Sequence, residues 1–325
     1  MLKSAGQKCH AQLRALTKLR AYFIVATKDR PDDLRRMLRS LADQSVLPNG
    51  VIVVDGSDVS VEEVIQQFAP ILPLYYMKHL PASATAQRNA GINALPRQAD
   101  LAGFLDDDAA LEPSALERMT AFWKAAPADL GGSAFNMINH PAMRFGLFKR
   151  TWMAEILGLY SAKSGIVMPS GWQTMIGKLQ HTCFVDWLPS GASMWRAEIL
   201  RAVNFDEFFS GYSYLEDLDF SFMVRKHWRL AVVADAQYGH YPSPIRHLDG
   251  FRFGRTEVRN RLYFVRKHGL SVPRCWLGMV ARLAMTVGTA LAHFDSDAAR
   301  RALGNMVGMT NELRYALDGT VKNAT

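Results

Sequence analysis

The sequence predicts an α/β fold with a largely parallel central sheet. Three observations carry that expectation. Apolar strand-like runs alternate with helix-like segments four times over the first third of the chain. Polar residues gather where those runs end, and 49% of the 325 residues are apolar, enough for a sizeable core.

The first strand and helix come from "AYFIVATKDRPDDLRRMLRSLADQ". Its apolar run ends at Thr27; Pro31 suits a first helical turn, Asp32 and Asp33 complement the helix dipole, and Leu34, Met37, Leu38 and Leu41 share one face. "GVIVVDGSD" reads as a second, buried strand, followed by a helix over about 60–69. The pattern continues with a strand in "LPLYYMKH", a helix over about 84–95, the strand "LAGFL" and a helix opened by Pro113. Thr27, Asp55 and Asp106 therefore fall at the carboxyl ends of strands, where open α/β sheets bind ligands. After about residue 131 the rhythm loosens: "GGSAFNMI", "CFVDWL", "ASMWR" and "LAVVA" read as short strands around a helix in "YLEDLDFSFMVRKH". The last 75 or so residues are mostly helical in pattern. The expectation is one catalytic-type domain over residues 1–250, with 1–19 as a basic lead-in, and a helical extension over 251–325.

A net charge of +8 and a pI near 9.4 suit an anionic partner: nucleic acid, a phosphorylated metabolite or an acidic membrane face. No helix-turn-helix, zinc or RNA-recognition pattern is present, so nucleic acid is not the expected partner. Cys9, Cys183 and Cys275 are far apart and odd in number, which indicates neither a disulfide framework nor a thiolate metal site. The basic start of the chain lacks an apolar run long enough for a signal-peptide core, so the expected location is the cytoplasm.

The chemistry centres on "GFLDDDAAL", where three adjacent carboxylates follow an apolar strand. Like charges this close repel, unless a cation or a polar ligand compensates. Alternation would send Asp106 and Asp108 the same way, and a hard cation such as Mg(II) or Mn(II) prefers carboxylate oxygens and retains positions for phosphate. The competing reading is a helix start near Glu112 decorated with acids. Asp55 either contacts ribose or a base edge, or supports its own turn beside Gly56; Thr27 and Arg30 carry the same choice. Arg88, in a helix of small residues, pairs with a phosphate or the acid cluster, or is merely solvated. Glu216 and Asp217 lie near a predicted helix N-terminus, as a general base or as dipole partners. His240 follows a strand, the place of a loop ligand, with His247 a close rival and a structural hydrogen bond the alternative. No G-x-G-x-x-G and no G-x-x-x-x-G-K-[ST] appears, which disfavours dinucleotide oxidoreductases and P-loop enzymes.

Taken in order, "VATKDRPDDLRRMLRSL", "VIVVDGSD", "AQRNAGI", "GFLDDDA", "SGASMWRAEIL", "FDEFF" and "YLEDLDFSFMVRK" resemble a family 2 glycosyltransferase, over roughly residues 20–245. The later "VRNRLYFVRKHG" is similar to the region after the catalytic domain in rhamnosyltransferase-like members. The resemblance implies a GT-A fold, a Rossmann-like, mostly parallel sheet with helices on both faces. It also implies metal-dependent inverting transfer of a hexosyl or deoxyhexosyl unit from a nucleotide-diphosphate sugar to a saccharide or lipid-linked saccharide acceptor, as in bacterial surface-glycan synthesis. By the same resemblance Thr27 and Asp55 contact the nucleoside, Arg88 lies along the donor pocket, Asp106 reaches the ribose or diphosphate side, and Arg30, Asp107 and Glu216 also bind the nucleotide sugar. Asp108 and His240 hold Mn(II) or Mg(II), and Asp217 is the catalytic base. One departure is Asp29, where an asparagine often precedes the arginine. Two other classes compete. A sugar nucleotidyltransferase would show a glycine-rich loop after the first strand, and "VATKDRP" has no glycine; an inactive binding or partner subunit would not need both Asp108 and Asp217.

"CWLGMVARLAMTVGTALAHF" is long enough to span a bilayer, but Arg282 lies inside it and glycine, threonine and alanine dilute it. The expected roles are a buried or oligomer-forming helix, giving a homo-oligomer through the C-terminal helices, or an interfacial helix, giving peripheral contact with the inner face of the cytoplasmic membrane. "MRFGLFKRTWMAEILGLY" mixes basic and aromatic residues in the same way.

Overall fold

The structure is a computed structural model that describes residues 19–140, 152–210, 213–242 and 249–322. The basic lead-in up to residue 18, Cys9, and the "MRFGLFKR" part of the second basic-aromatic segment lie outside the described residues. The elements run β1 (Ala21–Thr27), α1 (Pro31–Ala42), β2 (Gly50–Asp55), α2 (Glu62–Phe68), β3 (Leu74–Lys78), α3 (Ala84–Asn93), β4 (Leu101–Leu105), β5 (Ala109–Leu111), α4 (Ala115–Ala125), β6 (Leu130–Met137), α5 (Trp152–Ile156), β7 (Cys183–Val185), β8 (Ala192–Arg196), α6 (Ala197–Ala202), α7 (Glu216–Val224), β9 (Arg229–His240), α8 (Gly250–Lys267), α9 (Val272–His293) and α10 (Ser296–Lys322).

The strands form one sheet in the order β3-β2-β1-β4-β8-β6-β9-β5, with β7 on β9. The first four strands are mutually parallel, as the repeated strand-helix pattern requires. β8 runs antiparallel between β4 and β6, while β6 and β9 are again parallel, so the sheet is mixed but mostly parallel. Alternation along the strands sorts the core onto two faces. Phe23, Val25, Val51 and Val53 pack with α1 and α4, whereas Tyr22, Ile24, Ile52 and Val54 pack with α3, α6 and α7. Every residue of β2 is buried, which is why it reads as a continuous apolar run. Gly103 lets β4 and β8 approach: a Cβ there would run into the carbonyl of Ser193.

Several boundaries differ from the sequence expectation. After the acid triplet the chain turns into β5, and the helix starts only at Ala115, so the acids are not helix-start residues. Asp106 and Asp108 sit in that turn rather than on the strand, which removes the alternation argument for their directions. β9 continues to His240, well past "LAVVA", because its far end pairs with β5. α7 begins at Glu216 and ends at Val224.

Contacts divide the chain into two compact units. The first takes the described residues within 1–142, 176–211 and 216–243; the second takes those within 143–175, 212–215 and 244–325. The first unit holds the whole sheet. The second unit is built on α8, α9 and α10, with Glu257 buried between them: Arg282 Nε lies 3.3 Å and Arg301 Nη2 2.9 Å from its Oε1, and Asn305 donates to its Oε2 at 3.1 Å. Arg261 is also buried here, over the ring of Trp172 at 4.4 Å. The apolar helix α9 is not the buried helix that composition suggested, since only 22% of its most apolar window is buried.

Candidate active site at the carboxyl ends of the strands

The parallel strands β1, β2 and β4 end at Thr27, Asp55 and Leu105, and the first unit's buried polar residues concentrate there. Backbone bonds fix the acid turn: Asp106 N donates to Gly191 O at 3.0 Å, and Ala109 N to Asp106 O at 3.1 Å. The three carboxylates therefore meet different sets of partners, with Arg30 shared by Asp107 and Asp108. Asp106 Oδ1 accepts from Arg88 Nη2 at 3.0 Å. Asp107 accepts from Thr27 Oγ1 at 2.8 Å and from Arg30 Nη1 at 3.0 Å. Asp108 Oδ1 lies 3.1 Å from His240 Nε2, and its Oδ2 lies 3.4 Å from Arg30 Nη1. The pairing of Ala109 with His240 in the β5–β9 ladder is what brings the imidazole to Asp108.

Arg88 is buried and bridges two acid groups, since its Nη1 donates to Glu216 Oε1 at 2.8 Å while its Nη2 holds Asp106. The solvated-arginine alternative does not hold. Beside it, Asn89 grips the chain before α7, donating to Phe205 O and accepting from Phe205 N. Phe205 in turn stacks on Phe220 of α7 at 4.5 Å, which seats the Glu216–Asp217 end of that helix near Arg88.

Asp55 is fully buried and already saturated by its own surroundings: Ser57 N at 2.8 Å, Val61 N at 3.3 Å, Tyr76 Oη at 2.8 Å and Lys78 Nζ at 3.1 Å. It shapes the loop after β2. Asp29, at φ 54°, ties that loop to the one after β1 by accepting from Asp58 N at 3.1 Å and donating its own N–H to Ser57 Oγ at 2.7 Å. His247 lies outside the described residues.

Burial dominates the electrostatics. It pushes Asp107 up to about 7 against the Arg30 charge and the Thr27 hydroxyl. Burial and mutual repulsion raise Glu216 above its ordinary value, and burial raises Asp217, with Arg88 opposing both. Asp108 behaves differently. Burial would raise it, but the hydrogen bond and charge of His240, together with Arg30, outweigh that and hold it low. His240 is raised in return, chiefly by its bond to Asp108.

Sequence reasoning missed three contributors. Gln87 Nε2 donates to Thr27 O at 3.0 Å and Val54 O at 2.8 Å, joining the ends of β1 and β2 to α3. Gly191 leaves an open spot, because a Cβ there would sit 3.4 Å from Asp106 Oδ2 and 3.6 Å from Tyr238 Oη. Tyr238 is buried, its hydroxyl has no hydrogen-bond partner, and burial with the charges of Asp106, Asp108 and Asp217 keeps it protonated. The signal for Gln87 was its place in "AQRNAGI", next to Arg88; nothing in the sequence marked Tyr238.

Residues 22–169 match the family model described as Glycosyl transferase family 2. The fold is GT-A-like and is shared with solved structures of low sequence identity. S. aureus TarS 1-349 superposes with a TM-score of 0.52 at 17% identity, covering 79% of this chain and 68% of that one. The same protein in complex with UDP-GlcNAc gives 0.50 at 16% identity, covering 79% and 69%. The mannosyltransferase PcManGT from Pyrobaculum calidifontis, in complex with GDP-Man and Mn2+, gives 0.53 at 13% identity, covering 94% and 93%. No curated protein matches the chain in sequence.

Proposed function

We propose that this chain, whose residues 22–169 carry a family 2 glycosyltransferase domain, transfers a hexosyl or deoxyhexosyl unit with inversion from a nucleotide-diphosphate sugar to a hydroxyl of a saccharide or lipid-linked saccharide, as in bacterial surface-glycan synthesis. The observation that carries the reading is the convergence of Thr27, Arg30, Arg88, the three acids, Glu216, Asp217 and His240 at the carboxyl ends of the strands. The solved neighbours bound to UDP-GlcNAc and GDP-Man support a donor of that class.

The residues suit a divalent cation of modest protein denticity. Among the described residues no group of three or more His, Cys, Asp or Glu side chains stands ready for a metal ion. Asp108 and His240 do stand together, and a carboxylate with an imidazole suits Mn(II), or Mg(II) less well, while leaving positions for diphosphate oxygens. The neighbour complexed with Mn2+ points the same way. When bound, such a cation neutralises the departing nucleotide diphosphate.

The other groups divide the remaining work. Thr27 and Arg30 hold the acid turn against the nucleoside side, and Asp55 sets the loop that a base would stack on. Arg88, fixed by Asp106 and Glu216, keeps positive charge beside the developing leaving group. Asp217 takes the proton from the acceptor hydroxyl as its oxygen attacks the anomeric carbon; its raised affinity for a proton suits a base. The test is nucleotide release from UDP-, dTDP- and GDP-sugars with Mn(II), Mg(II) or EDTA. Metal-dependent turnover of one donor, lost in Asp108→Ala, is expected; turnover unaffected by EDTA and by the substitution overturns the metal assignment.

A further inference from the structure

The second unit exposes sixteen of the twenty-three large apolar side chains that stand out from the described residues. On α9 they are ordered. Leu277, Val280, Ala284, Val287, Leu291 and Phe294 are all exposed and recur at intervals of three and four, which places them along one side of the helix and its cap. Leu291 is 73% and Phe294 94% exposed, and Phe294 holds the left-handed C-cap at φ 49°, a conformation bulky residues rarely take. Cys275, Gly278, Met279 and Thr286 make up the buried side.

α9 contains no acid, its Arg282 is already paired with Glu257, and residues 249–325 carry twelve Lys and Arg against six Asp and Glu, a surplus of six of the chain's eight positive charges. The same unit carries a second apolar patch. Trp152 and Ile156 of α5 are 71% and 67% exposed, and a cavity of about 130 Å³ is walled both by Ala154 and Leu159 and by Gly278, Ala281 and Met285 of α9. α9 does not cross a bilayer in this arrangement. Its central Arg282 is paired with Glu257, so pulling the helix through a membrane would carry that guanidinium into the hydrocarbon without its carboxylate.

We propose that the second unit docks on an anionic lipid bilayer, with α9 lying in the interface and its exposed stripe among the acyl chains. Charge chooses this occupant over a second copy, because two such units would bring cation against cation, whereas an anionic surface attracts them. The proposal does not rest on the transfer reaction, since it uses neither the strand-end site nor its chemistry. The experiment is co-sedimentation of the full chain with vesicles of phosphatidylcholine, with and without phosphatidylglycerol, over a salt series. It compares wild type with the double variant Leu291→Asp/Phe294→Asp, using thermal melting as the control for folding. Both side chains point into solvent, so the variant is expected to melt like wild type and to bind phosphatidylglycerol vesicles about 100-fold more weakly, while wild-type binding weakens with salt. Wild type that stays in solution with phosphatidylglycerol vesicles, or a variant that binds equally well, overturns the proposal. So does a wild-type dimer in size-exclusion light scattering that the double variant converts to monomer, because a second copy then covers the stripe.

Discussion

Tyr238 shows what single residues do in this site. A buried hydroxyl without a partner costs about 1–3 kcal/mol, and this one shares the space left by Gly191 with Asp106 and feels the charges of Asp106, Asp108 and Asp217. Tyr238→Phe should therefore leave chemical-denaturation stability unchanged or raise it by about 1 kcal/mol. A clear loss of stability would mean that the hydroxyl anchors the fold. Asp217 is read through its pH dependence. A base works deprotonated, and burial holds this carboxyl above the ordinary aspartate range, so kcat/KM should rise with pH along a limb displaced above that range. Arg88 holds the pair down, so Arg88→Gln should move that rising limb to higher pH; a limb that stays in place would take Asp217 out of the base role. Asp217→Asn should lower turnover about 10²–10⁴-fold without lowering the melting temperature. The residue types were legible in sequence, and Asp106, Asp107, Asp108, Arg88, Glu216, Asp217 and His240 do come together. Their partners were not legible. Arg88 reaches Glu216 across 128 positions of chain, and no local pattern specifies such a contact.

At the scale of elements, the parallel strands and their helices follow from local patterning. Pro31 opens α1, alternation splits the core of β1 between two faces, and β2 is buried throughout. What patterning could not supply is the stitching between elements. Gln87 satisfies carbonyls of both Thr27 and Val54, so Gln87→Ala should destabilise the domain by about 2 kcal/mol in urea unfolding, whereas an effect within about 0.5 kcal/mol would mean water replaces it. β5 also escaped the sequence reading. Three residues are too few to show a period, and this strand exists because β9 offers it an edge, which then delivers His240 to Asp108.

At the scale of the molecule, the two units are held by different physics. The first depends on a sheet with apolar faces, while the second places a charged residue, Glu257, at the meeting of its helices. Burial acts to raise that carboxyl, but the charges of Arg282 and Arg301 and the bonds from Arg301 and Asn305 outweigh it and hold it low. Its stabilisation is therefore present above the unfolded carboxyl value and lost as pH falls through the folded one. Glu257→Ala should cost about 2–4 kcal/mol at neutral pH, less than a wholly buried pair because both guanidinium groups reach solvent, and the difference from wild type should shrink below about pH 4. An equal difference at pH 3 and pH 7 would remove the charge from the explanation. By itself the sequence determined the α/β class, the run of parallel strands and the residue types at their ends, because periodicity and turn chemistry act over a few residues. Tertiary structure alone decided the mixed order of the sheet, the pairing of the three acids with Thr27, Arg30, Arg88 and His240, the filling of Asp55 by its own loop and by β3, and the exposure of α9. Each of those depends on which distant groups are brought within hydrogen-bonding distance, or left facing solvent, when the chain closes on itself.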